Sequence, residues 1–291
     1  MSKTERARQA ILGALVADAA AMGLHWIYDV DRVAELGGAE PEFHPPVDYH
    51  QKRSPGGYTH YGDHLLVALE SIAESGGLDV EDYRGRYKQR FSADYDGYVD
   101  HATKDLLETG RGADDNQAGA LTKLVAYTVR YLEDPEFEAR IEESIRATHE
   151  NEQAVRYGVA AACAIREAIR GSDARASVEA ACRTSGAVNK QLEEVLAAED
   201  DVIAYALQRG QTCPVPNSVP VAFHAALHGD SFEESVRASI LSGGDTSGRL
   251  MVTGAIRGAT DGVPDAWLAK LGDRAQAEAL ADRVVAAAGL S

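Results

Sequence analysis

Apolar residues recur three and four positions apart through one Ala-rich segment after another, each closed by glycine, proline or aspartate. That period is the period of amphipathic helices. No stretch alternates β-branched and polar residues between hairpin signals, so the spacing predicts an all-α fold. Helices are expected from Thr4 to about His25, from Gly62 to about Ser75 with the Gly76-Gly77 pair as left-handed cap, and from Asp79 to Phe91 with Asp79 as N-cap. Another runs from Asn116 to Leu132, stopped at Asp134-Pro135, with Pro135 in the first turn of the next helix, to about Thr148. Glu152 to Arg170 follows, and then Ala174–Thr184, Lys190–Gln208, Val219–Leu227, Phe232–Leu241, Asp245–Thr260 and Asp273–Ala288. One long irregular stretch, Gly37 to Tyr61, is rich in glycine and proline, and a loop of that length in a compact domain is usually functional or mobile. With no internal repeat or low-complexity tract, the 291 residues read as one compact domain.

Charge narrows the partners. The 29 Lys and Arg against 46 Asp and Glu leave a net charge of −17, which repels phosphate backbones and anionic membranes. A small-molecule partner is expected, with no nucleic acid and no membrane. Cys163, Cys182 and Cys213 are an odd number without C-x-x-C spacing, which suits reduced packing thiols in a cytoplasmic protein. The charged N-terminus leads into a helix carrying Asp18 rather than a cleavable signal, and no run reaches the roughly 18 apolar residues of a membrane span.

Three segments place glycine or acid at helix ends, where unpaired N–H groups and the helix dipole favour anions: Gly13-Ala-Leu-Val-Ala-Asp18, Gly57-Tyr-Thr-His-Tyr-Gly-Asp-His64 and Gly243-Gly-Asp-Thr-Ser-Gly248. Asp63 and Asp245 can be N-caps or site acids. Asp18, among alanines and valine inside a helix, needs a polar cavity or a partner.

These motifs, with Thr148-His149, Ala113-Asp-Asp-Asn-Gln-Ala-Gly-Ala120 and Gly254-Ala-Ile-Arg-Gly258, resemble the ADP-ribosylglycohydrolase family over almost the whole chain. The resemblance implies a single all-α domain and two magnesium ions in a cleft, held by a Thr-Asp-Asp run and an Asp-x-Asp-Thr run. Hard cations require such oxygen ligands. Here the first run reads Tyr61, Gly62, Asp63 and the second Asp245, Thr246, Ser247, Gly248, so two of six ligand positions keep a carboxylate. Where the family usually carries an acid after its Gly-Asp pair, this chain has His25.

Expected catalytic groups are therefore Asp63, Asp245, His25, His64 and Asp18, with His25 or His64 transferring protons and Asp63 or Asp245 orienting it. Trp26, Tyr28, Tyr58 and Tyr61 flank the same segments, either as a stacking wall for a flat group or as loop anchors. Expected substrate contacts are Trp26, Tyr28, Tyr61, Asn116, Gly244, Thr246 and Ser247. A zinc site from His60, His64 and Asp63, or from His224 and His228, can be drawn, but Gly62 argues against one helix carrying the first pair, core packing or a solvated helix face accounts better for the second, and no zinc is expected.

The resulting expectation is a divergent hydrolase that cleaves a glycosidic or related bond in a small substrate, one that contains ADP-ribose in the family. It would work without the two-magnesium centre, or with one Mg²⁺ held by Asp63 and Asp245. The alternatives are a ligand-binding or regulatory protein without turnover, and an enzyme repurposed for a non-nucleotide substrate.

Overall fold

The computed structural model describes residues 1–184 and 189–290. The helical period is realised as α1 (Lys3–Ala21), α2 (Val30–Gly37), α3 (His60–Ser75), α4 (Val80–Arg90), α5 (His101–Thr109), α6 (Leu124–Arg130), α7 (Phe137–Arg146) and α8 (Glu152–Arg170). Then come α9 (Ala174–Thr184), α10 (Asn189–Ala197), α11 (Val202–Arg209), α12 (Val215–His228), α13 (Phe232–Leu241), α14 (Thr246–Asp261), α15 (Asp265–Leu268) and α16 (Arg274–Ala287). Short 3-10 turns at Met22–Leu24 and Ala118–Leu121 complete the order, and two isolated bridges are the nearest thing to a strand among the described residues. Caps follow the chemistry of the termini: Asp79, Asp100, Asn151 and Asp201 accept from first-turn amides, and Gly76, Gly110 and Gly171 close helices in the left-handed region.

Some expected boundaries move. Asn116–Leu132 is not one helix but a 3-10 turn followed by α6, and Lys190–Gln208 divides into α10 and α11 where Asp201 caps a new start. The helix after Pro135 starts at Phe137, so this proline precedes its first turn. The irregular stretch is shorter than Gly37–Tyr61, because α2 runs through Gly37 and α3 begins at His60.

At the centre α1 and α14 pack against each other, both buried on almost every side from Ala10 and Thr246 onward. Their backbones approach through glycine: a Cβ at Gly254 would lie 2.5 Å from the Gly13 carbonyl oxygen, and one at Gly13 would overlap the Gly254 carbonyl. Gln9 meets Gly258 and Ala17 meets Gly254, so the two helices run antiparallel. The C-terminal end of α1 therefore meets the N-terminal end of α14. By length and composition Lys3–Leu24 could cross a membrane, contrary to the count from sequence; 89% of its apolar 18-residue window is buried inside the fold as the core helix.

Candidate functional site

Beyond α1, Trp26 and Gly244 are joined by backbone: Trp26 donates its amide to the Gly244 carbonyl (2.9 Å) and Gly244 donates to Ile27 (2.7 Å). The turn that allows this has two successive residues in the left-handed region, Gly243 at φ 66° and Gly244 at φ 73°, which glycine adopts at little cost. The fully buried Arg249 guanidinium holds the turn, donating to the Gly243 carbonyl (2.6 Å), the Ser242 hydroxyl (2.9 Å) and the Gln211 carbonyl (3.2 Å).

This arrangement seats His25 over the start of α14. The Ser247 backbone amide donates to His25 Nδ1 (3.2 Å), and an amide can only donate, so neutral His25 carries its hydrogen on Nε2. Nε2 points toward Asp245 Oδ1, 3.6 Å away. Both side chains are completely buried, and neither Asp245 oxygen completes a hydrogen bond within the protein, although Tyr61, Cys213 and Trp26 surround the carboxylate. Burial pushes Asp245 up to about 6 against the pull of Arg249, and burial together with His50 and His60 holds His25 well below the usual imidazole range.

Above this pair opens a cavity of about 230 Å³ lined by Trp26, Tyr28, Tyr49, Tyr61, Tyr98, Asp100, Gln117 and Cys213. Trp26 (φ 65°) and His50 (φ 58°), two of the three non-glycine residues in the left-handed region among the described residues, have rings stacked 6.0 Å apart beside it. Such strain, of order 1–3 kcal/mol each, persists where the surroundings over-determine it and gathers at functional sites. Behind Asp100 lies a second buried group: His60 Nε2 is 3.9 Å from its carboxylate, His64 bonds Tyr87 (2.9 Å), and Lys123 donates to Thr148 (2.6 Å), whose hydroxyl meets His149 Nδ1 (2.8 Å). Burial lowers His60 to about 3, His64 to about 4 and Lys123 to about 7. Burial pushes Asp100 up, but His64, His60 and its bonds to Thr103 bring it below the ordinary carboxylate range. A larger depression of about 420 Å³ around Phe43 and Lys270 includes none of these groups.

The expected residues divide. His25, Trp26, Tyr28, Tyr61, Gly244, Asp245, Thr246 and Ser247 come together, Thr246 with its hydroxyl 3.3 Å from His25 Nδ1. Asp18 turns to structure: it accepts from the Thr59 hydroxyl (2.5 Å) and amide (2.9 Å), bracing the residue that caps α3. Asp63 is neither that cap nor a neighbour of the His25–Asp245 pair. It accepts from Arg53 (2.9 Å) and Tyr95 (2.6 Å), with Arg90 at 3.7 Å, and lines a separate depression. His64 sits behind Asp100 and bonds Tyr87, not Asp63. Asn116 faces a neighbouring hollow and donates to Gln153 (2.8 Å). Cys213, expected as packing, lines the pocket. Tyr49, His50, Tyr98, Asp100, Gln117 and Arg249 were missed; the signal for Asp100 was its cap spacing before His101-Ala-Thr103.

These residues do not fit a magnesium pair. The Asp63 carboxylate is engaged by arginine and tyrosine, so it cannot share an ion with Asp245. A side chain at Gly62 would overlap Asp18 Oδ2, and one at Gly248 would lie 2.6 Å from Asp245 Oδ2, so no added ligand finds room at either position. His60 and His64 do lie on one continuous helix, yet Asp63 points away from them, and His224 is taken by the Asp200 carbonyl (2.9 Å). Among the described residues no three His, Cys, Asp or Glu side chains converge as a metal set.

Comparison with known proteins agrees on kinship. The family model described as ADP-ribosylglycohydrolase matches residues 1–291. An uncharacterized protein of Archaeoglobus fulgidus is 26% identical, with 96% of each chain covered. Crystallin J1A of Tripedalia cystophora is 25% identical, with 91% of this chain and 92% of that one covered. A solved structure titled ADP-ribosylglycohydrolase-related protein complex superposes with a TM-score of 0.75 at 24% identity, covering 99% of both chains, which shows the shared all-α fold.

Proposed function

The chain belongs to the ADP-ribosylglycohydrolase family, and from that premise we propose that it hydrolyses a glycosidic or related bond in a small substrate without a metal centre. One observation carries the reading: Asp245, fully buried behind Tyr61, Trp26 and Cys213 of the pocket wall, has two oxygens that none of these neighbours meets in full hydrogen-bond geometry. An unsatisfied buried carboxylate is costly and persists where a ligand or a reacting water completes it. Asp245 then takes a proton from the attacking water, and the His25 Nε2–H, fixed by the Ser247 amide, holds a hydrogen bond to the carboxylate or to the departing group. Because His25 is neutral throughout, it positions and does not deliver a proton as a cation. Asp18 holds the α3 cap in place, and Trp26, Tyr28 and Tyr61 bind the substrate.

The pH profile tests this directly. With Asp245 as base at about 6, kcat/KM rises through that pH, and none of the buried histidines adds a second step between pH 6 and 8. A profile that instead falls as pH rises through 6 would assign the reaction to a protonated acid and remove Asp245 from the role of base. The second reading, a ligand-binding protein without turnover, draws support from relatives named crystallins; it predicts the same pocket and no hydrolysis of any glycoside.

A further inference from the structure

Two walls of the pocket each stand at right angles to the Trp26 indole. The Tyr49 ring meets the Trp26 indole at 5.0 Å and 79°, and the Tyr98 ring meets it at 4.7 Å and 78°. A flat base is held between parallel faces, whereas perpendicular rings enclose a compact, rounded group on several sides. Tyr28, Tyr49 and Tyr98 each leave more than two-fifths of their surface exposed around this one opening, an arrangement the core does not require. The charged residue lining the same space is Asp100, and no lysine or arginine is part of the wall. Arg249 and Lys123 lie fully buried behind the carboxylates, outside the lining. On the rim, the Lys104 ammonium sits 5.9 Å from the Tyr98 ring centre, so one ring of the set already attracts a cation.

We propose that the substrate carries an organic cation of the trialkylammonium class, seated among Trp26, Tyr49 and Tyr98 with Asp100 as its counter-charge. Aromatic faces and a nearby carboxylate recognise such a group through its diffuse charge, without hydrogen bonds. This inference rests on the hydrolase reading and supplies what that site lacks. The lining holds no protonated carboxyl and no imidazolium, but a nitrogen that already bears positive charge needs none: water attacks the sugar carbon, the C–N bond breaks with its electron pair going to nitrogen, the amine leaves neutral, and the water's proton passes to Asp245.

Choline and its uncharged isostere 3,3-dimethylbutan-1-ol have the same shape and separate charge from size. Titrated against the full chain by calorimetry, choline is expected to bind at least roughly tenfold more tightly than the isostere. Tyr49→Leu and Tyr98→Leu, both at half-exposed positions, each weaken choline at least about threefold with melting temperature unchanged, and Tyr98→Phe keeps the affinity. Equal binding of the isostere, no binding of choline, or indifference to the leucine variants overturns the cation site. If choline fails while Asp245-dependent hydrolysis of uncharged glycosides is found, this inference falls and the hydrolase reading stands. If choline binds as expected while no glycoside is hydrolysed, the hydrolase reading falls and the cation pocket stands.

Discussion

Asp245→Asn lowers turnover by about a thousandfold and leaves the protein at least as stable as the wild type at neutral pH. The first effect is the usual magnitude for removing a general base. The second follows from burial. Because the folded chain holds the Asp245 carboxyl at about 6, above its ordinary 3.8, the native state retains a proton that the unfolded chain has released between those values. Stability from this group is therefore highest below pH 4 and declines as pH rises toward 6, by an amount of order 3 kcal/mol at 1.36 kcal/mol per unit. Asparagine keeps the shape and removes that decline; the slope due to Asp18, raised to about 7, remains. Urea melts of both proteins at pH 5 and pH 7 measure the difference. A variant that loses several kcal/mol at pH 7 would show that Asp245 is a structural partner of Arg249, and the catalytic assignment would fail with it.

Gly254→Val has the largest expected effect on the fold, a loss of about 3 to 5 kcal/mol in urea melts. A Cβ there meets the Gly13 carbonyl at 2.5 Å and Ala17 Cβ at 2.6 Å, so the obstacle is largely backbone and no rotamer relieves it. Separating α1 from α14 also draws His25 away from Asp245, because these residues lie just beyond the facing ends of the two helices. Gly85→Ala is the control. That helical position is exposed, nothing lies within 4 Å of an added Cβ, and the change should stabilise by roughly 0.5–1 kcal/mol. If Gly254→Val costs less than about 1 kcal/mol, the close approach is not what fixes the helix pair.

Local signals explain which parts of the molecule could be read in the chain. Glu152–Arg170, Ala174–Thr184 and Phe232–Leu241 were legible to the residue, since each has a clean apolar stripe and a cap or glycine at its end. The short, charged α2 and α5 were not, because eight or nine residues give too little period to outvote their polar composition. In the site, the Gly243–Ser247 segment was visible as glycine and acid at a helix start, His25 through the family resemblance, and Trp26 as an aromatic flanking the same segments. Asp63 misled because its position in the chain marks a helix start, while its orientation depends on Arg53 in the preceding loop and Tyr95 far along. Tyr49, His50 and Tyr98 join the pocket from irregular segments, where neither period nor cap gives direction.

Release of free sugar from a panel of small N- and O-glycosides, cationic and neutral, run once with Mg²⁺ and once with EDTA, tests the metal-free site most directly. The arrangement of Asp245, His25 and the engaged Asp63 predicts turnover that is the same in both conditions and absent in Asp245→Asn. Turnover that vanishes on chelation and returns with added Mg²⁺ would contradict it.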